Sequence, residues 1–406
     1  MTTHTPRPVI EPHLCTRCGC CAAVCPEACI TVDNHMNAER GEGCTGCGLC
    51  EQICPGQGID LQASGATLFG KTWYHKGIGH FIGTYTAYST EERIRKAGTA
   101  GGVVTAVLEA LMEEGIIDGA LVVTFDPHRP WITRYVLATS TKEIEQSAQT
   151  KYQLTPIDFP LHKIPQQKIA VVGVPCLIHG MRNIQETSLG KKVTLLMGLF
   201  CWVHMEQEAT HFLLRKLGVD EESVESVKYR HGDYLGGFAV RDVGGNVTFL
   251  EKECYNLLPL VFAPERCVYC ADFTNELADI SFGDAKSLQS QQGHTFVITR
   301  SQRGEKAMRA CERKGLIIRE PHPAHDIIDS ESSALLFKKG AFKRIKKKGL
   351  PIFYGEEIYD IPLKNKIFEF IFIFIHKNRN FYRKILEKMP LFIFKLISRW
   401  ITRERS

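Results

Sequence analysis

The chain has 406 residues, is 44% hydrophobic and 23% charged, and carries a net charge of +5. That length and apolar content suit two or three packed domains and exclude a disordered chain. So mild a charge leaves no electrostatic footprint for nucleic acid. Residues 1–12 are polar and proline-bearing, a loose arm with no apolar run resembling a secretion signal.

Ten of the sixteen cysteines lie in the first 54 residues, and eight of those form two runs. The first is Cys15-x2-Cys18-x2-Cys21-x3-Cys25-Pro26. The second is Cys44-x2-Cys47-x2-Cys50-x3-Cys54-Pro55, each cysteine 29 residues after its counterpart. C-x2-C-x2-C-x3-C-P is the run of bacterial ferredoxins, in which three thiolates hold one iron–sulfur cube and the fourth ligates the other. One 4Fe-4S cluster is thus assigned to Cys15, Cys18, Cys21 and Cys54, and a second to Cys44, Cys47, Cys50 and Cys25. Structural zinc is the alternative for thiolates at this spacing; the duplication and both prolines favour clusters. Such thiolates need a reducing compartment, so the expected location is the cytoplasm. Ile30-Thr31-Val32 and Ile59-Asp60-Leu61 are expected to be the small strands flanking the clusters. Residues 1–62 therefore read as an α+β ferredoxin module, and the glycine-rich residues 63–84 as a linker.

From Thr84 the pattern changes. Thr84–Tyr88 alternates like a strand. Gly98-Thr99-Ala100-Gly101-Gly102 precedes a helical apolar spacing over Val103–Met112, which Gly115 stops. Ala120–Val123, Lys168–Gly173 and Val193–Cys201 read as strands and Ile178–Gln185 as a helix, an α/β pattern around a mostly parallel sheet. The glycine loop can hold phosphate on free backbone N–H groups, or be only a tight turn; it matches neither the dinucleotide fingerprint nor a Walker loop. Cys176 follows one buried strand, Cys201 ends another, and Cys267 and Cys270 form a C-x2-C pair. Strand ends of a parallel sheet share one edge, where sites form. By spacing alone these four could hold a third cluster, bind zinc or be unrelated buried thiols. Cys20, Cys29, Cys254 and Cys311 fit no motif and read as packing thiols.

Several segments, in order, resemble the family formed by the β-subunits of coenzyme F420-reducing hydrogenases and F420H2 dehydrogenases. They are Gly101-Gly102-Val103-Val104-Thr105, Glu114–Gly119, Thr150-Lys151-Tyr152, Val174-Pro175-Cys176, Gly198-Leu199-Phe200-Cys201, Cys267-x2-Cys270-x-Asp272, Glu276–Asp284 and Thr295–Arg300. The resemblance implies an FAD-binding domain over 85–325 with its own 4Fe-4S cluster on Cys176, Cys201, Cys267 and Cys270. It further implies that Gly101, Gly102 and Val103 approach FAD, with Thr105 and Lys151 nearby. A chlorophyll-cycle reductase and an assimilatory sulfite reductase share this flavin domain, so the resemblance leaves the substrate open.

The resemblance fades after Glu320, and residues 326–406 read as a basic, amphipathic, helical tail. Residues 338–348 hold seven basic residues and no acid. The apolar runs Ile367–Ile375 and Leu391–Trp400 are too short to span a bilayer. Lipid-surface contact is one reading of this tail, and docking on a partner subunit or on the protein's own core is the other. The expected activity is oxidation of reduced coenzyme F420 through FAD, with single electrons relayed by three 4Fe-4S clusters to a redox partner or membrane complex. The alternatives are a ferredoxin-dependent reductase acting on an organic substrate, and a non-catalytic electron relay. No catalytic acid or base stands out.

Overall fold

The computed structural model describes residues 7–32, 37–70, 72–234, 236–288, 293–357 and 359–403. Half of the N-terminal arm, residues 1–6, lies outside them; Arg7–Pro8 pairs with Ala38–Arg40, which also pairs with Ile30–Val32.

An eight-stranded sheet organises the chain: β1 (Gly83–Ser89), β2 (Gly119–Phe125), β3 (Thr133–Ala138), β4 (Ile169–Gly173), β5 (Val193–Leu199), β6 (Ile280–Asp284), β7 (Thr295–Thr299) and β8 (Ile317–Pro321). Their order is β8-β1-β7-β6-β5-β4-β2-β3. The central strands β6, β5, β4 and β2 are parallel, as their unbroken apolar runs predict. The flanks are antiparallel: β7 runs against β6 and β1, β8 against β1, and β3 against β2. The sheet is therefore mixed, with a parallel centre. In register, Gly173 of β4 lies beside Gly198 of β5, and Gly198 beside Ser281 of β6, so the segments leaving β4 and β5 emerge at one edge.

Helices α1 (Val103–Glu113) and α3 (Gln302–Arg313) cover one face through Val107, Leu111 and Met308. Helix α2 (Pro175–Gln185) lies on the other face in a larger core, which also takes Leu14, Cys20, Val24 and Ile53 from the N-terminal region and Phe337, Phe372 and Phe394 from the tail. Contact there is close: a Cβ on Gly180 of α2 would lie 2.4 Å from the Cys20 sulfur. A second, antiparallel sheet of Val224–His231, Gly237–Asp242 and Val247–Glu251 is packed beside it.

Two expectations are corrected. Ile59-Asp60-Leu61 is not a strand: the Asp60 carboxylate accepts from Ala63 N–H at 2.9 Å and caps the helix Leu61–Phe69. Residues 63–84 are not a bare linker, because that helix is followed by a hairpin of Trp73–His75 with Gly79–Phe81, and Gly83 already opens β1. The tail is helical as expected, including α4 (Ser332–Lys339), α5 (Leu363–Lys377) and α6 (Leu391–Arg403), and of its readings the structure shows docking on the protein's own core, through Phe337, Phe372 and Phe394, each at most 2% exposed.

Candidate functional site

The two N-terminal cysteine runs cross over in space. One cavity is lined by Cys15, Cys18, Cys21 and Cys54. Another, of about 110 Å³, is lined by Cys25, Cys44, Cys47 and Cys50. Each therefore takes three thiols from one run and the fourth from the other. Cys29, read from sequence as a packing thiol, borders the second cavity, 3.5 Å from the Cys25 sulfur. Cys20 does pack, its thiol 3.7 Å from the Leu177 carbonyl. Among the described residues no three His, Cys, Asp or Glu side chains converge closely enough to chelate a single ion.

Cys176 lies in the first turn of α2, just beyond β4, and Cys201 lies just beyond β5, on the shared sheet edge. Cys267 and Cys270 are brought to them by the short helix Glu265–Val268 and the turn after it. Burial and mutual repulsion among the four, together with Cys18, push the Cys176 thiol well up. Burial raises Cys201 to about 12. Asp272 fixes the turn after Cys270: its carboxylate accepts from Asn275 and Glu276 N–H and from His179 at 2.9 Å. Arg266, buried, donates to the Gly56 carbonyl at 2.9 Å and the Tyr354 hydroxyl at 3.0 Å, so it clamps the N-terminal region and the tail to this thiol group.

A cavity of about 710 Å³ opens beside these thiols. Gly98, Gly102, Val103 and Thr105 line it, as do Lys151, Cys176, Cys201 and Cys18. Gly101 and Gly102 have φ of 81° and 74°, and Gly102 caps α1 without a side-chain hydrogen bond. The first-turn N–H groups of α1 are thus left for an anion. Gly101 itself is not in the wall; its carbonyl accepts from Ser89 N–H. Lys151 is tied to the loop by a Thr150 N–H to Thr99 hydroxyl bond of 2.8 Å. Burial lowers Lys151 to about 7, whereas three carbonyls, of Ser147, Ala148 and Gln149 at 2.5, 2.7 and 3.1 Å, take all three ammonium protons and oppose that shift.

Sequence reasoning missed much of the cavity wall. Arg230, from the second sheet, donates to the Tyr152 hydroxyl at 3.0 Å and Asp284 at 2.8 Å. Lys252 donates to Asn256 at 2.6 Å and sits 4.6 and 4.3 Å from the centres of the Tyr152 and Tyr255 rings. Burial lowers it to about 7. No motif or periodicity marks these residues; only the fold gathers them.

Residues 84–161 match the N-terminal part, and residues 166–324 the C-terminal part, of the family described as the beta-subunits of coenzyme F420 hydrogenase/dehydrogenase. The chain is 30% identical over 299 residues to the beta-subunit of the coenzyme F420 hydrogenase of Methanothermobacter thermautotrophicus, covering 67% of this chain and 99% of that protein. The chain belongs to this family. Within the family, it is 26% identical to one of the subunits of the F(420)H(2) dehydrogenase of Methanosarcina mazei, over 79% of this chain and 88% of that one. It is 29% identical to the coenzyme F420-dependent sulfite reductase of Methanocaldococcus jannaschii over 75% of its own length, but spans only about half, 47%, of that protein. A chain of the F420-reducing NiFe hydrogenase complex from Methanosarcina barkeri shares the fold, with a TM-score of 0.55 and 22% identity over 70% of this chain and 99% of that chain. The two family models cover residues 84–161 and 166–324, and the match to the dehydrogenase subunit extends beyond that span.

Proposed function

We propose that this protein is an iron–sulfur flavoenzyme that oxidises reduced coenzyme F420 and passes single electrons to a redox partner. The observation that carries this is one cavity whose wall holds the phosphate-competent loop of α1, the thiols of Cys176 and Cys201, and Cys18 of the N-terminal runs. When bound, FAD exchanges hydride on one side and single electrons on the other, and thiolate-held 4Fe-4S clusters carry electrons singly. The residues fit those groups. The α1 N–H groups would hold a pyrophosphate, with Lys151 ordering the neighbouring 147–149 backbone, and the quartet Cys176, Cys201, Cys267 and Cys270 would hold a cluster beside it. Cys15, Cys18, Cys21 and Cys54, then Cys25, Cys44, Cys47 and Cys50, would hold two more, in a ferredoxin module over residues 1–62. Arg230, Lys252 and the Tyr152 hydroxyl present cationic and hydrogen-bonding groups to a polar, anionic hydride donor. The buried edge excludes bulk water.

The tail supplies a contact face. The basic run 338–348 is only in part the free cationic strip its sequence suggests: Lys343, Lys346 and Lys347 are exposed, whereas Lys338 is buried, Lys339 pairs with Glu276, Arg344 with Glu369 and Lys348 with Glu265. Also exposed is one stripe of α5, Leu363, Ile367, Phe370, Ile371 and Phe374, flanked by exposed Lys364, Lys366 and Lys377. Its one acid, Glu369, is turned inward to Arg344. Cations around an apolar stripe match an anionic lipid surface; among the described residues no helix is long and apolar enough to cross a membrane. Flotation with anionic liposomes at low salt, lost at high salt, is expected; failure to float at low salt would refute lipid contact.

The activity is tested by anaerobic purification with iron, sulfide and flavin analysis, then trial of reduced coenzyme F420 against reduced ferredoxin as donor. Oxidation of reduced F420 with electrons delivered to a one-electron acceptor supports the proposal. Activity with reduced ferredoxin alone would reverse the flow, and absence of flavin would leave an electron relay.

A further inference from the structure

Cys29 has no place in either N-terminal quartet, yet it lines the same cavity as Cys25, Cys44, Cys47 and Cys50. Its sulfur lies 3.5 Å from that of Cys25, within reach of an S–H···S hydrogen bond. The wall of that cavity therefore carries one thiol more than a four-iron centre takes.

The backbone holds Cys29 there. Cys25-Pro26-Glu27-Ala28 closes a turn in which the Ala28 N–H donates to the Cys25 carbonyl at 3.3 Å. Ala28 has a φ of 51°, in the left-handed region that an alanine seldom enters. On the other side, the Cys29 carbonyl accepts from the Gly41 N–H at 2.8 Å, and Ile30–Val32 pairs with Ala38–Arg40. A strained residue persists where the surrounding structure over-determines it. Turn and strand thus fix Cys29 against Cys25 from both sides.

The duplication supplies a comparison. The residue 29 positions after Cys29 is Gly58. Among the described residues the first cavity is walled by Cys15, Cys18, Cys21 and Cys54, with no further thiol. The two sites also differ in exposure: Cys44 and Cys47 are exposed, whereas Cys15, Cys18 and Cys21 are buried. The extra thiol accompanies the site that solvent reaches.

Resting on the proposed second cluster, we infer that Cys29 is a reserve ligand of that centre and exchanges with Cys25. In the exchange the iron–Cys25 sulfur bond breaks, an iron–Cys29 sulfur bond forms, and the Cys29 proton passes to the Cys25 sulfur. No electron moves and the total charge is unchanged. The same exchange keeps the fourth position filled when Cys25 is removed.

The test is iron and sulfide analysis of anaerobically purified full-length variants, with iodoacetamide alkylation read by mass spectrometry. Cys25→Ala is expected to keep about twelve irons. Cys54→Ala, the equivalent change at the first centre, should lose iron, as should Cys25→Ala/Cys29→Ala. In wild-type protein iodoacetamide should modify Cys29 ahead of the ligand thiols, and in Cys25→Ala it should leave Cys29 as protected as Cys44 and Cys47. A packing role for Cys29 would not change its reactivity in this way. Three results would overturn the inference: as little iron in Cys25→Ala as in the double variant, as much iron in the double variant as in Cys25→Ala, or Cys29 still alkylated in iron-replete Cys25→Ala. Should Cys25→Ala fail to accumulate, Cys25→Ser is compared with Cys25→Ser/Cys29→Ser; more iron in the single variant supports the inference and equal iron overturns it. Iron content undiminished by Cys47→Ala would instead remove the second-cluster reading on which this rests.

Discussion

The N-terminal thiols and the thiols at the sheet edge suit the same chemical job by opposite constructions. Cys15 to Cys54 lie in one short duplicated segment, and their spacing alone is enough to wrap a loop around each centre. Cys176, Cys201, Cys267 and Cys270 come from two strand ends and a distant helix, and Arg266 ties the Cys267-x2-Cys270 loop to Gly56 of the N-terminal region and Tyr354 of the tail. A local motif carries its own geometry. A distributed one borrows geometry from the sheet, and so depends on packing far from any cysteine.

The largest expected effect separates the two directly. The wild-type protein should hold about twelve irons as three four-iron centres, and Cys176→Ser should leave about eight while the N-terminal centres persist. Iron and sulfide analysis checks this; unchanged iron would mean that the distributed set holds no cluster. Deletion from Glu331 should be equally damaging. It uncovers the core packed under Phe337, Phe372 and Phe394 and removes Arg344, which bonds the Val268 carbonyl inside the Cys267-x2-Cys270 loop, so iron should fall to about eight and the flavin cavity should open.

Next in size is Phe372→Ala, in which a fully buried ring is removed from between Phe337 and Trp202. A loss of about 3–5 kcal/mol is expected in urea unfolding. A value under about 1 kcal/mol would mean that the tail is not part of the core.

Gly180→Ala probes the seam between the local and distributed sites. Its Cβ would meet the Cys20 sulfur at 2.4 Å, so about 1–3 kcal/mol should be lost. The double variant Gly180→Ala/Cys20→Ala should recover most of it; additive losses would show that the two residues do not touch.

The smallest effect concerns the cavity. Burial lowers Lys252 to about 7. Below that pH its ammonium attracts an anionic ligand; above it the amine is neutral. The KM for reduced coenzyme F420 should therefore rise as pH rises from about 6 to about 8, by at most about tenfold per unit for one linked proton. Lys252→Met should flatten the profile, read by the kinetics of F420 oxidation. A wild-type profile in that variant would place the pH dependence elsewhere.

Much of the fold is legible in the sequence. The duplicated cysteine runs, the helix after the Gly101-Gly102 loop and the buried strands at Ala120, Ile169 and Val193 follow from spacing, apolar period and β-branched content. These are local properties, and the structure reproduces them. The antiparallel flanks are not legible, because period-two patterning reports burial and not strand direction. Ile59–Leu61 departs from its expected strand because a capping Asp60 outweighs two apolar neighbours. Lys338 is the sharpest case. In sequence it is one of seven cations in eleven residues, indistinguishable from Lys346. The first is buried and the second exposed, because Phe337 of α4 packs on Trp202 and Arg344, from the next helix, bonds Val268, both far earlier in the chain. Composition determined that the chain would fold and could ligate iron. Only the tertiary structure decided which charges are desolvated, since desolvation depends on neighbours that are close in space and remote in sequence.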